Sequence, residues 1–328
     1  MRPIRSSPHQ PAPVPPPVPP PVPPGAAPTC RVLGPDAGAL AGAVTRAGWR
    51  VTASGPADAE VRPGPGGHVG FADGERVELP DHAAVTRWAR ALPAGPRVLR
   101  RADPAEIGAV LASVATISEY SAVDGDGAGE PLRGFHTDPT ALAEAVRRVG
   151  ARFGATEARV AASTLQFLVA LRLWSVALGA FAVGGVVPDL DRLRYRLGED
   201  GSPRLSSPEP GGWTTSGDPA PLLLRAVVEE HLEPCHAGLR AVVKVADGLL
   251  RGNAAAAVRS ALRTLPADLG DLGDRLLSAP QLRGALSADG TRRSCCLFYR
   301  TPTGHTCRAC PLADAAVTRR TGHRPADP

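Results

Sequence analysis

The longest apolar stretch of the chain, RVAASTLQFLVALRLWSVALGAFAVGGVV at residues 159–187, limits what the protein can fold into. Its length would suffice to cross a membrane. However, Gln166 and Arg172 stand inside it, and a Gly-Gly pair interrupts it before Pro188. No second span and no flanking charge asymmetry supports insertion. We therefore predict a helix that is buried in the core of a helical domain.

Helical patterns flank this stretch on both sides. One helix is predicted over residues 105–120, and another begins at Asp138-Pro139, where the aspartate caps and the proline fits the first turn. Residues 192–207 predict two strands around a Gly-Glu-Asp-Gly-Ser turn. The following GGWTTSGDP is predicted to be a loop. Further helices are predicted over residues 221–250 with a break near Pro234, over 252–265, and as a short pair over 269–286.

The chain before residue 104 has a different character. Residues 1–28 contain PVPPPVPPPVPP, which predicts a disordered tail in the polyproline II conformation. Residues 29–103 have a weak α/β pattern without the glycine spacing of a dinucleotide-binding turn. The predicted elements there are strands at 30–33 and 50–53, a helix at 38–48, a hairpin at 67–80 and an Asp81-capped helix at 81–92.

These patterns together predict an α+β fold that is mainly α. A small α/β region of unassigned role, residues 29–103, precedes a helical domain with a small β-hairpin, residues 104–328. The helical domain ends in a cysteine-rich segment at residues 291–312.

Four of the six cysteines lie within sixteen positions near the C-terminus, namely Cys295, Cys296, Cys307 and Cys310. Two are adjacent, ten residues follow, and a Cys-x-x-Cys pair completes the set. The first residues of the chain lack the uninterrupted apolar stretch of a secretory signal. We therefore expect a reducing compartment, in which clustered cysteines indicate metal or redox chemistry rather than structural disulfides.

Three kinds of site compete for the four thiols. A structural zinc ion would suit Cys307 and Cys310, but adjacent cysteines chelate one small ion poorly. A thioredoxin-type pair would leave Cys295 and Cys296 unexplained. A [2Fe–2S] cluster is wider than a single ion and needs four thiolates shared between two irons, so it accounts best for the spacing.

The same segment carries the positive charge of the protein. From residue 291 to the end there are seven arginines and two acidic residues, which equals the whole net charge of +5. A [2Fe–2S] centre with four thiolate ligands is anionic, so nearby cations favour its reduced form. The alternative is a solvated basic tail. No DNA-reading helix is recognisable, and nucleic acid is not expected as a partner.

The cysteine pattern resembles that of the FhuF-like ferric-siderophore reductase family. SCCLFYR and CRACPL correspond to the stretches that carry that family's iron–sulfur ligands. Three other stretches are similar to the family as well: RVAAS at 159–163, VVPDL at 186–190 and LLRGNAAAAVRSALR at 249–263. The resemblance covers roughly residues 105–315.

The resemblance implies a cytoplasmic enzyme that reduces the ferric iron of imported siderophores by one electron and releases Fe(II). Hydroxamate and catecholate oxygens are hard donors that bind Fe(III) far more tightly than Fe(II). The four cysteines would be the cluster ligands, with no further catalytic residue. The partners would be a ferric siderophore and an external donor, a ferredoxin or a flavoprotein. Candidate contacts to an anionic siderophore or the donor are Arg292, Arg293 and Arg300.

Two alternatives stay open beside the reductase: an iron–sulfur sensor of redox state or iron, and a zinc-stabilised siderophore-binding protein without redox activity. Association of the apolar helix with a membrane surface also stays open. Several other residues are expected to have structural roles. We expect His305 to be exposed or to donate a hydrogen bond. His231 and His236 are expected on a helix surface or in the core, and Cys30 and Cys235 as small buried residues. Trp174 and Trp213 are candidates for a ligand groove, with core packing favoured for Trp174.

Overall fold

The computed structural model describes residues 28–312, with gaps at 54–56, 73–74, 93–98, 126 and 303–304. The proline-rich segment predicted over residues 1–28 lies outside the described residues apart from Pro28. Helices make up about 49% of the structure and strands about 18%, in small sheets. The predicted fold class, α+β and mainly α, is confirmed.

The N-terminal part of the described chain forms a five-stranded sheet that packs against two helices. Its elements are β1 (Thr29–Val32), α1 (Ala37–Arg46), β2 (Arg50–Thr52), β3 (Ala59–Gly64), β4 (Gly67–Ala72), β5 (Glu75–Leu79) and α2 (His82–Ala91). The strand order is β2-β1-β3-β4-β5. Strand β1 is parallel to β2 and β3, and the remaining pairs are antiparallel.

Local patterns account for most of this sheet. The predicted hairpin is confirmed as β4 and β5, and the predicted cap is confirmed because the Asp81 carboxylate accepts a hydrogen bond from the Ala84 amide at 2.6 Å. Strand β3 is absent from the predicted elements. In the structure Glu60 is buried and pairs with Arg192 of the helical domain.

The chain after residue 103 is mostly helical. Its helices are α3 (Pro104–Ala115), α4 (Leu132–Thr137), α5 (Pro139–Phe153), α6 (Ala158–Gly184), α7 (Ala220–Leu224), α8 (Glu233–Val242), α9 (Asp247–Leu262) and α10 (Gly270–Ser278). Helix α6 contacts α3, α5 and α9. It is therefore the central helix of the domain.

Helix α6 is the predicted core helix. It spans 27 residues, and its Trp174 is fully buried in the main hydrophobic core. Within the described residues it is the one helix long and apolar enough to cross a membrane, yet 61% of its most apolar window is buried inside the protein. Its burial confirms the prediction, because the apolar side chains are covered by neighbouring helices.

Two smaller sheets lie beside the helices. Their strands are β6 (Leu99–Arg101), β7 (Val123–Asp124), β8 (Glu130–Pro131), β9 (Val186–Pro188), β10 (Arg194–Leu197), β11 (Pro203–Ser206) and β12 (Gly212–Thr215). The strand orders are β7-β11-β10-β8 and β6-β12-β9. The hairpin predicted over residues 192–207 is confirmed as the antiparallel pair β10 and β11.

The prediction of a loop for GGWTTSGDP is wrong, because its first residues form strand β12. Trp213 of β12 lies opposite Arg101 of β6 and Val187 of β9. Both partner strands are distant in sequence. The local sequence therefore contains no signal for this pairing.

The predicted helix break near Pro234 is also wrong. The chain stays helical through Pro234, and the break falls at residues 243–246, before α9 begins. A proline inside an α-helix removes one hydrogen bond and clashes with the preceding turn. Here a π-helix, Arg225–Leu232, immediately precedes α8 and gives the wider backbone spacing that accommodates the ring.

Buried ion pairs connect the N-terminal sheet to the helical domain. Arg62 of β3 lies 3.7 Å from the Asp189 carboxylate, which also accepts a hydrogen bond from Arg101 of β6 at 3.1 Å. Arg192 pairs with Glu60 of β3. A buried charge that loses its partner is strongly destabilising, so these pairs keep the sheet in one position on the helices.

Candidate metal centre

The cysteine segment, residues 292–312, lies against the junction between α5 and α6. The Phe298 ring meets the Phe153 ring edge-on, with the ring centroids 5.5 Å apart. Arg300 donates a hydrogen bond to the Glu157 carboxylate, just before α6, at 2.6 Å. These contacts hold the middle of the segment, the 3-10 turn Phe298–Arg300, on the helical core.

A chain of buried polar groups holds the first cysteine pair. The Ser163 hydroxyl of α6 donates a hydrogen bond to the Cys296 carbonyl at 2.7 Å. The Asn253 side-chain amide of α9 donates to the Ser163 carbonyl at 2.9 Å, and Arg292 donates to the Asn253 side-chain oxygen. Ser163, Asn253 and Arg292 are almost completely buried. These bonds therefore join groups that water does not reach, although the Arg292 Nε has no hydrogen-bond partner among the described residues.

A second connection joins the segment to the first turns of α9. The Ser294 hydroxyl donates a hydrogen bond to the Gly248 carbonyl at 2.5 Å. Gly252 lies one turn after Gly248 on α9. The cysteine segment is so close to α9 here that a Cβ on Gly252 would lie 2.6 Å from the Ser294 hydroxyl oxygen. A side chain at position 252 would therefore displace the Ser294 hydroxyl, so glycine favours this docking.

The sulfur atoms of the two cysteine pairs approach one another. The Cys296 and Cys307 sulfurs lie 3.6 Å apart. Two thiolates on one tetrahedral metal with bonds of about 2.3 Å would be separated by about 3.8 Å. The Cys310 amide donates to the Cys307 carbonyl at 3.0 Å, so a tight turn brings the last cysteine back beside the third.

Backbone amides point at the two remaining sulfurs. The Leu297 amide lies 3.3 Å from the Cys295 sulfur, and the Leu312 amide lies 3.4 Å from the Cys310 sulfur. Leu297 has a φ of 65° and is the one non-glycine residue in the described chain with a positive φ. Such a backbone is strained for leucine. The turn lets the adjacent Cys295 and Cys296 take different environments.

The electrostatic environment of the thiols is uneven. The hydrogen bond with Cys307 lowers the pKa of Cys296 to about 6, burial opposes this shift, and the charge of Arg292 adds to it. The same hydrogen bond and burial raise the pKa of Cys307, and Arg292 opposes that rise. Burial raises the pKa of Cys295, again against the charge of Arg292. One buried cation therefore favours the thiolate form of three cysteines.

These features fit a [2Fe–2S] cluster. Iron–sulfur centres are held by thiolates, and amide hydrogen bonds to the sulfurs tune them. The structure supplies four thiols, two amide donors and a cation within electrostatic reach. Among the described residues, no group of three or more His, Cys, Asp or Glu side chains is arranged to hold a single metal ion.

Comparison with known proteins agrees with the geometry. The site defines an iron–sulfur protein whose cluster segment is docked on a helical domain. Residues 292–312 match the family model of the FhuF 2Fe-2S C-terminal domain, which supports assignment of the chain to the FhuF-like proteins. A search of curated proteins found no match. The cofactor is a [2Fe–2S] cluster, and the protein is an iron–sulfur protein of the siderophore-related kind.

The three arginines predicted as substrate contacts lie in different places. Arg292 is buried and bonded to Asn253, so it lies inside the protein and not on a surface that a siderophore could reach. Arg293 is exposed. Arg300 is exposed and paired with Glu157. Arg292 therefore acts on the thiols through its charge from inside the protein. Arg293 is more accessible to a ligand than Arg292.

The other residues considered from the sequence have mainly structural surroundings. Cys30, Cys235 and Trp174 are buried, as predicted. His305 is exposed, and its ring meets the Phe298 ring edge-on. Trp213 is buried against Arg101. His231 is fully buried and contacts His136 at 2.9 Å, and His236 contacts Gln166 at 2.9 Å.

Sequence reasoning did not identify Ser163 and Asn253 as residues that support the cluster segment. Both lie in stretches that the sequence analysis compared with the FhuF-like family, RVAAS and LLRGNAAAAVRSALR, which are outside the matched residues 292–312. The sequence does show that each of them is a polar residue within an apolar helical stretch. It could not show which carbonyl or side chain each residue contacts, because the cysteine segment is 133 residues from Ser163.

Proposed function

We propose that this protein reduces the ferric iron of siderophore complexes by one electron and releases Fe(II) in the cytoplasm. We propose Cys295, Cys296, Cys307 and Cys310 as the ligands of its cluster. When bound, the cluster supplies single electrons. The observation that carries the proposal is the docked four-thiol segment with Arg292 buried beside it. The reaction balances as Fe(III) plus one electron gives Fe(II), with the siderophore unchanged.

The chain contributes position, access and charge. Cys296 and Cys310 are buried, whereas Cys295 and Cys307 are partly exposed. The site is therefore anchored on one side and open to solvent on the other. Arg292 stabilises negative charge at the site and favours its reduced state. Because siderophore oxygens bind Fe(III) far more tightly than Fe(II), transfer of one electron loosens the iron.

We propose that an acidic protein, a ferredoxin or a flavoprotein, supplies the electron. Arg308 lies between Cys307 and Cys310 and is exposed. Its charge reaches Arg263, whose pKa is lowered first by burial and then by the charges of Arg308 and Arg259. These arginines form a basic surface beside the Cys-x-x-Cys turn. Complementary charge would raise the association rate with an acidic donor and make it depend on salt.

The test uses protein purified without oxygen. Iron and sulfide analysis and EPR after reduction establish the cluster, and stopped-flow mixing with ferric siderophores measures its reoxidation. A ferrous-iron chelator traps the product. We expect fast reoxidation, with one Fe(II) formed for each electron lost. The Cys296→Ala variant should lose the cluster, and Cys235→Ala, which alters a buried thiol elsewhere, should retain it.

Two results would contradict the proposal. A colourless protein containing zinc and no sulfide would remove the redox chemistry. A reduced cluster that ferric siderophores leave unchanged, while an inorganic oxidant reoxidises it, would favour the alternative of a redox or iron sensor.

A further inference from the structure

A cavity of about 520 Å³ opens between α8, α9 and residues 280–282. Helix α9 lines it with Asp247, Arg251 and Ala254, whose spacing of four and three residues places them on one helix face. Helix α8 lines it with residues at the same kind of spacing, including His236 and Arg240. The volume lies within the range of about 300–1,000 Å³ that is usual for small-molecule sites.

This α8–α9 cavity lies next to the supports of the cysteine segment. His236 in its wall contacts Gln166 of α6 at 2.9 Å. Gln166 follows Ser163 by about one helical turn, about 5 Å along the axis. Ala254 in the wall directly follows Asn253, which bonds to Ser163. The cavity and the docked cysteine segment therefore lie on neighbouring faces of α9, and His236 connects the cavity wall to α6.

Two side-chain amides near the cavity keep unused hydrogen-bonding capacity. Gln166 is fully buried, and its side-chain oxygen has no hydrogen-bond partner among the described residues. Gln281 lines the cavity, and its side-chain oxygen also has no hydrogen-bond partner among the described residues. A ligand that donates a hydrogen bond would give the Gln281 oxygen a partner.

The charges of the lining balance one another. Arg240 and Arg251 are matched by Glu233 and Asp247, and Arg240 is paired with Asp247. His236 adds no charge near neutral pH, because burial lowers its pKa to about 4. A balanced lining suits a ligand with many polar groups and little net charge, since a strongly charged ligand would meet no net opposite charge.

We propose that the α8–α9 cavity binds the organic shell of the ferric siderophore. The inference rests on the proposed function and adds the place where the substrate lies during reduction. The substrate would lie between α8 and α9, on the face of α9 next to the one that Ser294 contacts. The basic surface at Arg308 would stay free for the electron donor.

Binding can be measured apart from reduction. The probe is a gallium(III) trihydroxamate siderophore complex, which has the shape of the ferric complex and accepts no electron. Isothermal titration calorimetry with the cluster-containing protein gives its Kd. Gln281→Trp places a large side chain at the partly exposed rim of the cavity, and Arg251→Ala removes an exposed cation from it. We expect Gln281→Trp to raise Kd at least about tenfold and Arg251→Ala to raise it less.

Arg275→Glu is the matched control, because Arg275 is an exposed arginine that lines a second cavity of about 390 Å³ next to α10. It should bind the gallium complex like the unmodified protein. All variants should keep the EPR spectrum of the cluster, which reports that the cysteine segment is intact.

The outcomes separate the site from the function. If Gln281→Trp and Arg251→Ala bind the gallium complex as tightly as the unmodified protein, the cavity is not the site. If the unmodified protein reduces the ferric complex but neither variant binds the gallium complex more weakly, the inference fails and the reductase stands. If binding is weakened as expected and the ferric complex is never reduced, the site stands and the proposed reductase activity fails.

Discussion

The hydroxyl group of Ser163 donates a hydrogen bond of 2.7 Å to the backbone carbonyl of Cys296. The two residues are 133 positions apart, and both atoms are buried among core helices. This bond connects the longest helix of the core directly to the cysteine segment. The stability of the helical domain and the retention of the cluster should therefore be linked.

The Ser163→Ala variant tests this link. The substitution leaves the Cys296 carbonyl without its buried donor, which should cost about 1–3 kcal/mol of unfolding free energy. We expect a lower thermal midpoint and faster bleaching of the visible absorbance by a chelator. Ser113→Ala is the control, because the Ser113 hydroxyl is exposed and bonds only within its own helix. Equal bleaching rates in the two variants would show that Ser163 does not hold the segment.

Much of this arrangement is visible in the sequence, and the part that is missing has a physical cause. Helix α5 runs from Pro139 to Phe153, as its Asp-Pro start predicts, and the four cysteines define the cofactor. Strand β12 and the Ser163 contact depend on partners far away in the chain. Local patterns report propensity and burial, whereas such contacts are decided by tertiary packing.

The close approach of Ser294 to α9 gives a second prediction. In Gly252→Ala the new Cβ would lie 2.6 Å from the Ser294 hydroxyl oxygen, so the Ser294 side chain must leave its position or the segment must shift. We expect a loss of about 1–3 kcal/mol of stability and a lower cluster content, measured by thermal unfolding and iron analysis. Gly248→Ala on the same helix meets no atom within 4 Å and should be tolerated.

The double variant Gly252→Ala/Ser294→Ala makes the explanation specific. Ser294→Ala removes the only side-chain atom found within 4 Å of the added Cβ, at the cost of one hydrogen bond to the Gly248 carbonyl. The double variant should therefore hold more cluster than Gly252→Ala alone. Additive losses would mean that the contact with Ser294 is not the cause.

Arg292 gives a prediction about the reduction potential. Its charge acts on Cys295, Cys296 and Cys307, and its side chain is buried. A cation near an anionic centre favours the reduced state. Arg292→Gln should therefore lower the potential in an EPR-monitored redox titration of the cluster-containing fraction.

The neighbouring Arg293→Gln is the matched control for this titration. Arg293 is exposed, so solvent and salt screen its charge. Its removal should change the potential much less. Equal shifts in the two variants would mean that total charge, and not the buried position of Arg292, sets the potential.

The buried histidines predict a dependence of stability on pH. Burial lowers the pKa of His231 from 6.5 to about 4, with the nearby Asp191 opposing the shift. Between these two values the unfolded chain binds a proton that the folded protein does not, so stability falls as the pH decreases through this window. For His231 alone the loss between pH 7 and pH 5 should be on the order of 2 kcal/mol.

Guanidinium unfolding at pH 7 and pH 5 checks this expectation. His231→Gln should show a smaller difference between the two midpoints than the unmodified protein, because glutamine does not titrate. His82→Gln, which changes an exposed histidine of α2, should keep the original difference. The acid sensitivity of the cluster is common to all three proteins and cancels in the comparison. If His231→Gln shows the same difference as the unmodified protein, other groups cause the pH dependence. His136 is the first candidate, because burial lowers its pKa as well and it contacts His231 directly.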